Sequence, residues 1–413
     1  MTVEEAERYL LSLELFGMRF GLDRMRRLMT ALGHPERQFK SIHVVGTNGK
    51  SSTVRMIAAI LAHHGLSTGS YLSPHLLSFT ERIRIDDADL QPNEFAAAVA
   101  RAARAAEMVD RSLGADDRVT QFEALTAAAY SELAARGVGV AVIEAGLGGR
   151  YDATNVIPSS VQVLTSVGLE HTRWLGPTIT DVATEKLDVV QEGATLVLGA
   201  RLHPDAETHA AAVAAARGAR IVHAGTDPGV PVAAAGAFQR RNFALARTAA
   251  EAYLGQLDPE AVAQAAAAVL VPGRLQIIGH EPLTLLDGAH NPHGMEALAE
   301  AASEIRRGHD RLVAVVSILD DKDAAGMLAR LMPICHALVF TSSQNPRALP
   351  PPTLQSLARQ LHGPPSEVVP APYAALQRAR ALAASTGMVL ATGSIYLVAD
   401  LLAPEGRRRV SML

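Results

Sequence analysis

The chain reads as an α/β protein of two units, each built on a doubly wound, largely parallel sheet, the first unit the larger. Three observations predict this. Apolar β-branched runs alternate with helical patterns along almost the whole length, a strand–loop–helix with a lysine lies at 42–53, and a proline–glycine break at 272–274 separates two such alternations. Single cores rarely grow past roughly 250–300 residues, so 413 residues imply two domains, 1–271 and 272–413.

Residues 3–32 carry two amphipathic helical patterns around Phe16–Arg24, with Leu22, Met25, Leu28, Met29 and Leu32 at helical spacing. The apolar run at 42–45 stops at Gly46, turns through Thr47 and Asn48 to Gly49, and opens a helix at Lys50. Glycines let the backbone approach phosphate oxygens, and free N–H groups at a helix start receive negative charge. Lys50 reaches the outer phosphates, and the Ser51 hydroxyl can ligate Mg2+. The loop is G-x-x-G-K-S, shorter than the common G-x-x-x-x-G-K-S. The helix continues over 54–64 to Gly65, and a strand at 67–72 closes on Ser73-Pro74-His75. Helices follow at 93–111 and 120–135, the second with Thr120 and Glu123 in capping-box spacing.

Residues 138–144 form a continuous apolar strand, as at the centre of a parallel sheet, ending in Glu144 and a glycine-rich turn to Asn155. In a doubly wound sheet this strand lies beside the one feeding the loop, which lets Glu144 hold Mg2+ against phosphates; a strand-end Glu can equally meet a helix N-terminus or an arginine. A strand at 161–166 leads to Gly168-Leu169-Glu170-His171, where His171 is either a surface residue or a metal ligand. A helix at 180–190 carries Lys186, and strands at 195–199 and 220–223 flank a helix at 205–216. Helices at 239–253 and 259–269 complete the unit. Beyond the break, strands at 283–287, 312–317, 337–341, 367–369 and 388–392 alternate with helices at 294–306, 323–331, 352–360 and 373–383. The first unit thus reads as a P-loop-type domain for a triphosphate-like ligand, and the second as a smaller Rossmann-like α/β domain. Ligands gather at the carboxyl ends of such strands, where Asp287, Asp320 and Gly393 fall. Asp287 followed by His290 suits ribose and substrate contacts, and the same Asn291-Pro292 suits a helix-capping turn.

Composition narrows the function further. A net charge of −4 gives no reason to expect nucleic acid, and Arg407–Arg409 reads as a solvated tail. The lone Cys335, at the start of an apolar run, reads as a core thiol. Residues 1–9 are acidic and unlike a signal peptide, and no uncharged run approaches the ~18 residues of a membrane span, so a soluble cytoplasmic protein is expected. Of 38 basic residues only Lys40, Lys50, Lys186 and Lys322 are lysine. Where arginine serves as the generic cation, a surviving lysine points to a compact ammonium or a nucleophilic amine.

Seven stretches together resemble the folylpolyglutamate synthase/dihydrofolate synthase branch of the Mur ligases. They are Phe20-Gly21-Leu22-Asp23-Arg24, the loop from Gly46 to Ser52, Ser73-Pro74-His75-Leu76, the run from Glu144 to Asn155, Glu170-His171-Thr172-Arg173-Trp174-Leu175-Gly176, Pro272-Gly273-Arg274 and the run from Asp287 to Gly294. The resemblance implies that the first unit is an ATPase domain, with ATP phosphates held by Gly46, Thr47, Asn48, Gly49 and Lys50. It implies two Mg2+ sites served by Ser51, Ser73, Glu144, His171 and a carbamylated Lys186. Gln239 and Asn242 would contact adenine and phosphate, and Arg274 and Asp287 phosphate and ribose. His290 would face the reacting groups and Lys322 the incoming L-glutamate. Leu22, Asp23, Arg24, Thr120, Gln121, Phe122, Glu123, Tyr151, Asp152 and Ala153 would line the site for dihydropteroate or tetrahydrofolates. A monomer acting through an acyl phosphate, with closure of the second domain, is implied. Two departures stand out: Glu170 replaces the family's usual Asp, and Leu187-Asp188 replaces Ala-Gly after the lysine. Another Mur-type amino-acid ligase, or a nucleotide-gated ATPase without ligation, are the rival expectations.

Overall fold

A computed structural model describes residues 1–13, 21–114, 117–306 and 308–404. Phe16, Phe20 and the Arg407–Arg409 run lie outside the described residues. The chain divides into two compact units, one of Met1–Ala233 with Arg241–Val269, the other of Ala234–Arg240 with the chain from Leu270 onward. The break expected at 272 falls just after Leu270. Residues 234–240 join the second unit because Ala235 and Phe238 pack on its core.

The first unit holds eight strands: β1 (Lys40–Val45), β2 (Thr68–Tyr71), β3 (Ile83–Ile85), β4 (Ala88–Asp89), β5 (Val140–Glu144), β6 (Val161–Leu164), β7 (Thr195–Leu198) and β8 (Arg220–His223). Their order is β4-β3-β2-β5-β1-β6-β7-β8. β1 is parallel to both neighbours, with Val44 opposite Glu144 on β5. All but the first residue of β1 is buried. From β1 the chain crosses to one side through the helix Lys50–His63 and returns on the other at β6. The loop after β1 therefore sits at the switch point of the sheet, where open α/β sheets leave a crevice for ligands. β5 lies beside β1, as its apolar run and terminal carboxylate require.

The second unit holds β9 (Gln276–His280), β10 (Leu283–Leu286), β11 (Leu312–Val316), β12 (Ala337–Phe340), β13 (Ser366–Val368) and β14 (Met388–Thr392), ordered β13-β12-β11-β14-β10-β9. Both sheets are mixed: β3, β4 and β9 pair antiparallel at the edges. These strands, and the helix Ile395–Leu402, lie outside the elements the sequence pattern predicts. Cys335 precedes β12 rather than starting it. Burial pushes its thiol up to about 12, and its S–H points to the Leu331 carbonyl, 3.4 Å away, which suits a core group. Among the described residues no helix is long and apolar enough to cross a membrane.

Candidate active site

The loop after β1 is shaped by its glycines and tied down by its neighbour. Gly46 has φ 151° and Gly49 has φ 85°. A Cβ at Gly46 would stand 1.9 Å from Thr165 Oγ1, and one at Gly49 would stand 2.8 Å from Asn242 Oδ1. No side chain fits at either point. The segment following β6 pins the loop: the Thr47 amide donates to the Ser166 carbonyl at 2.9 Å and the Asn48 amide to Ser166 Oγ at 2.9 Å. Thr165 Oγ1 donates to the Asn48 carbonyl at 2.6 Å. Such a loop needs little rearrangement to meet phosphates, which is the use of preorganised amides.

Two of the four lysines converge here. Lys50 Nζ donates to the carbonyls of Gly46 and Thr47 at 3.0 and 3.3 Å, and Lys186 Nζ donates to the same Gly46 carbonyl at 2.9 Å. Lys186 is buried, and burial, helped by the nearby Lys50 charge, pulls its amine down to about 7. Glu170 and Asp152 oppose that shift. Two amines able to carry positive charge thus meet on one carbonyl of this loop.

Glu144, 1% exposed at the end of β5, accepts from Ser51 Oγ at 2.9 Å and from the Ser73 amide at 3.1 Å. Ser51, Ser73 and Glu144 are thus brought together. The oxygens shown to meet here are Ser51 Oγ and the Glu144 carboxylate, and such a pair suits Mg2+, which keeps several waters or phosphate oxygens and uses one or two protein ligands. Among the described residues no three His, Cys, Asp or Glu side chains gather into one group. His171 lies just beyond the segment that pins the loop. Its backbone is left-handed, φ 51°, and its Nε2 stands 3.7 Å from Glu170 Oε1.

The segments implied for a pterin are more self-contained. Arg24 Nε donates to both Glu123 oxygens at 3.1 Å, and Arg24 Nη1 donates to Asp117 at 3.0 Å. Thr120 and Glu123 close the capping box of the helix Gln121–Ala135, and Gln121 Nε2 donates to the Leu10 carbonyl at 2.8 Å. Asp23 is an exposed partner of Arg27, and Leu22 is buried beside it. Phe122 presents a half-buried ring, with Gly146 pressed so closely that a Cβ there would meet Cζ at 2.7 Å. Tyr151 is exposed with Arg150 over its ring; Asp152 and Ala153 are buried. Asp152 accepts from the Leu147 amide at 2.8 Å and the Thr154 amide at 3.1 Å, and burial raises its carboxyl against those bonds.

The sequence reading missed a brace behind this turn. The Thr154 hydroxyl donates to Asp152 and accepts from His43 Nε2 at 2.9 Å. His43 lies on β1, wholly buried, and burial drives its imidazole down to about 3, so it is neutral. A histidine inside an apolar strand was the available signal.

In the second unit, Asp287 is 2% exposed at the end of β10. It accepts from the Leu275 and Ala289 amides at 3.0 and 2.8 Å; burial raises its carboxyl, with Arg274 and these bonds opposing. A Cβ at Gly288 would stand 2.2 Å from Arg274 Nη1, so that glycine lets the guanidinium pass. His290 Nδ1 donates to the Gly288 carbonyl at 2.9 Å. Asn291 caps the helix Pro292–Ile305 through the Gly294 amide at 2.7 Å, the turn reading of that motif. Lys322 Nζ stands 3.6 Å from Asp321. Gln239 is fully buried in the helix Ala237–Leu254.

Comparison with known proteins bears on this arrangement. Residues 273–395 match the family model described as Mur ligase, glutamate ligase domain. The chain is 33% identical to the dihydrofolate synthase/folylpolyglutamate synthase of Bacillus subtilis, over 94% of this chain and 95% of that one. A structure of Mycobacterium tuberculosis folylpolyglutamate synthase complexed with ADP superposes with a TM-score of 0.90 at 31% identity, covering 98% of this chain and 99% of that one. The bifunctional synthase of Yersinia pestis complexed with AMPPNP and Mn ion gives 0.85 at 30% identity, covering 97% of each.

Proposed function

The chain belongs to the dihydrofolate synthase/folylpolyglutamate synthase family and is an ATP-dependent ligase; from that premise we propose that it joins L-glutamate to dihydropteroate, to reduced folates, or to both. The observation that carries the reading is the gathering of Ser51 and Ser73 on Glu144 beside a loop that two lysines also reach. A carboxylate of the pteroate or folate attacks the γ-phosphate of ATP, giving an acyl phosphate and ADP. The amino group of L-glutamate then displaces phosphate, and the amide forms.

Each part of the site answers a need of that sequence. The loop Gly46–Ser51 would hold the phosphates through the amides of its Gly49–Ser51 end and the Lys50 ammonium, while the Thr47 and Asn48 amides, bonded to Ser166, keep its shape. These donors would offset charge as the phosphoryl group transfers. Ser51, Ser73 and Glu144 would hold one Mg2+, and His171 with Lys186 a second; bound Mg2+ would supply charge neutralisation on the phosphate oxygens. Lys186 would take up CO2 as a carbamate with loss of a proton, which turns an amine into the oxygen ligand that Mg2+ prefers. Phe122 offers a stacking face for the pterin. Arg274 and Asp287 would serve phosphate and ribose, Gln239 and Asn242 adenine, His290 the reacting groups, and Lys322 the glutamate carboxylate.

The test is product mass spectrometry with dihydropteroate and tetrahydrofolate offered separately, alongside ADP release. The expected result is ADP formation that requires both glutamate and a pteroyl acceptor, with one glutamate added per ADP. ADP released equally well without either substrate would leave only a nucleotide-gated ATPase.

A further inference from the structure

The helix Ile179–Leu187 brings Lys186 to the phosphate loop, and its last turn is held from the side by the turn that begins at Glu144. The last carbonyls of a helix have no partner within it, and here the Arg150 amide donates to the Glu185 carbonyl at 2.8 Å. Gly149 makes that approach possible. A Cβ there would stand 2.7 Å from the Glu185 carbonyl oxygen and 2.8 Å from that of Lys186. Lys186 Nζ reaches the Gly46 carbonyl from this one helix end, so any shift of the end carries the amine with it.

Charged side chains close the same contact. Asp188 follows the helix directly and meets two arginines: Arg217 Nη2 donates to it at 2.9 Å, and Arg150 Nε stands 3.7 Å from its other oxygen. Arg150 Nη1 also stands 3.7 Å from Glu185. A carboxylate at a helix C-terminus faces the negative end of the helix dipole, so the helix itself gains nothing from Asp188. A purely structural account covers part of this. Arg217 also donates to the Val190 carbonyl at 2.7 Å, and with Asp188 it ties down the chain that leaves the helix. That account leaves the arginine of the turn without a purpose. Nor does Asp188 act on the Lys186 amine by charge: burial and then the charges of Lys50, Glu170 and Asp152 set the shift of that amine, and Asp188 is not among them.

We propose that Asp188 is a positioning residue for Lys186. Paired with Arg150, it clamps the end of the helix against Gly149 and so keeps the Lys186 amine on the Gly46 carbonyl. The proposal rests on the role given to Lys186 above and names what holds that residue in place. Asp188 is one of the two residues at which the chain departs from the family pattern after the lysine, so the clamp is a feature of this chain.

The experiment labels the four lysines of the full chain with acetic anhydride, without nucleotide or Mg2+ and in CO2-free buffer, and maps the products by peptide mass spectrometry. Asp188→Asn, Asp188→Glu and Arg150→Gln are compared with the wild type, and glutamate-dependent ADP release is measured on the same proteins. Exposed ion pairs contribute modestly, so labelling of Lys186 should rise about three- to tenfold in Asp188→Asn and Arg150→Gln, with Lys40 unchanged. In both variants kcat should fall about three- to tenfold and the Mg2+ concentration for half-maximal rate should rise about threefold, with KM for ATP within about twofold. Asp188→Glu keeps the charge and should recover most of both effects. Unchanged labelling of Lys186 in Asp188→Asn and Arg150→Gln overturns the proposal, and a lower melting temperature alongside it would reduce Asp188 to the tie at the helix end. An equal rise at Lys50 also overturns it, because the whole loop would then have loosened. Raised labelling of Lys186 with kcat and Mg2+ dependence as in the wild type upholds the clamp and overturns instead the metal role given to Lys186.

Discussion

Each unit follows an interior strand with a buried carboxylate and a glycine-containing turn, and the two are built differently. Glu144 holds a serine hydroxyl and a backbone amide, partners that can give way to a cation. Asp287 is gripped by two backbone amides, Leu275 from the segment before β9 and Ala289 from its own turn, with Arg274 threaded through the gap at Gly288. The turn after Glu144 is braced by side chains, through Asp152 and Thr154 to His43 on β1. The turn after Asp287 is braced by backbone. On the proposed function, the difference would separate a site whose ligands exchange during reaction from one whose shape is set in advance.

Substitutions break the comparison in a definite order. Lys186→Arg keeps a positive charge yet cannot become a carbamate, so turnover should fall by about 1000-fold or more while the fold and nucleotide binding persist. Substantial activity in that variant, measured as ADP release, would end the carbamate proposal. Glu144→Gln keeps the shape and removes the charge; kcat should drop by about 100-fold, partly recovered at raised Mg2+. An unchanged Mg2+ dependence would show Glu144 to be a structural cap. Asp287→Asn should act mainly on ATP, raising its KM about tenfold with a smaller effect on kcat, if its proposed contact with the ribose holds. If kcat falls as far as in Glu144→Gln, the contrast between the two carboxylates is gone.

Much of this was legible in the sequence because it is periodic. The parallel strands, the loop at Gly46–Ser51 and the pairing of β5 with β1 all follow from apolar runs and glycine placement. The three-residue β3, the two-residue β4 and the antiparallel β9 did not, since pairing at a sheet edge leaves little pattern in the paired residues. Among site residues, Lys186 stood out by its rarity, but its meeting with Lys50 on the Gly46 carbonyl joins residues 140 apart in sequence, a closure that only the sheet order brings about. Arg24 and Glu123 read as substrate contacts by resemblance; the fold adds that they hold each other.

His43 sharpens the same comparison at the smallest scale. Its imidazole titrates near 3 in the folded protein against an ordinary value of 6.5, because burial disfavours the charged ring. The unfolded chain therefore binds one more proton than the folded one between those values. Stability should decline as pH falls through 6.5 toward 3, by up to about 1.4 kcal/mol per pH unit from this residue alone, and the contribution is fully present above 6.5. In His43→Gln the amide can still donate toward Thr154 but takes up no proton. Denaturant midpoints measured from pH 7.5 to 4.5 should converge on acidification, the variant losing less stability than wild type by about one proton's worth of slope. Parallel curves would mean that His43 is charged or solvated in the folded state, and the brace behind Asp152 would then need another explanation. The same variant should leave KM for ATP unchanged and raise that for dihydropteroate a few-fold, since the brace supports the turn at Tyr151–Ala153 rather than the phosphate loop.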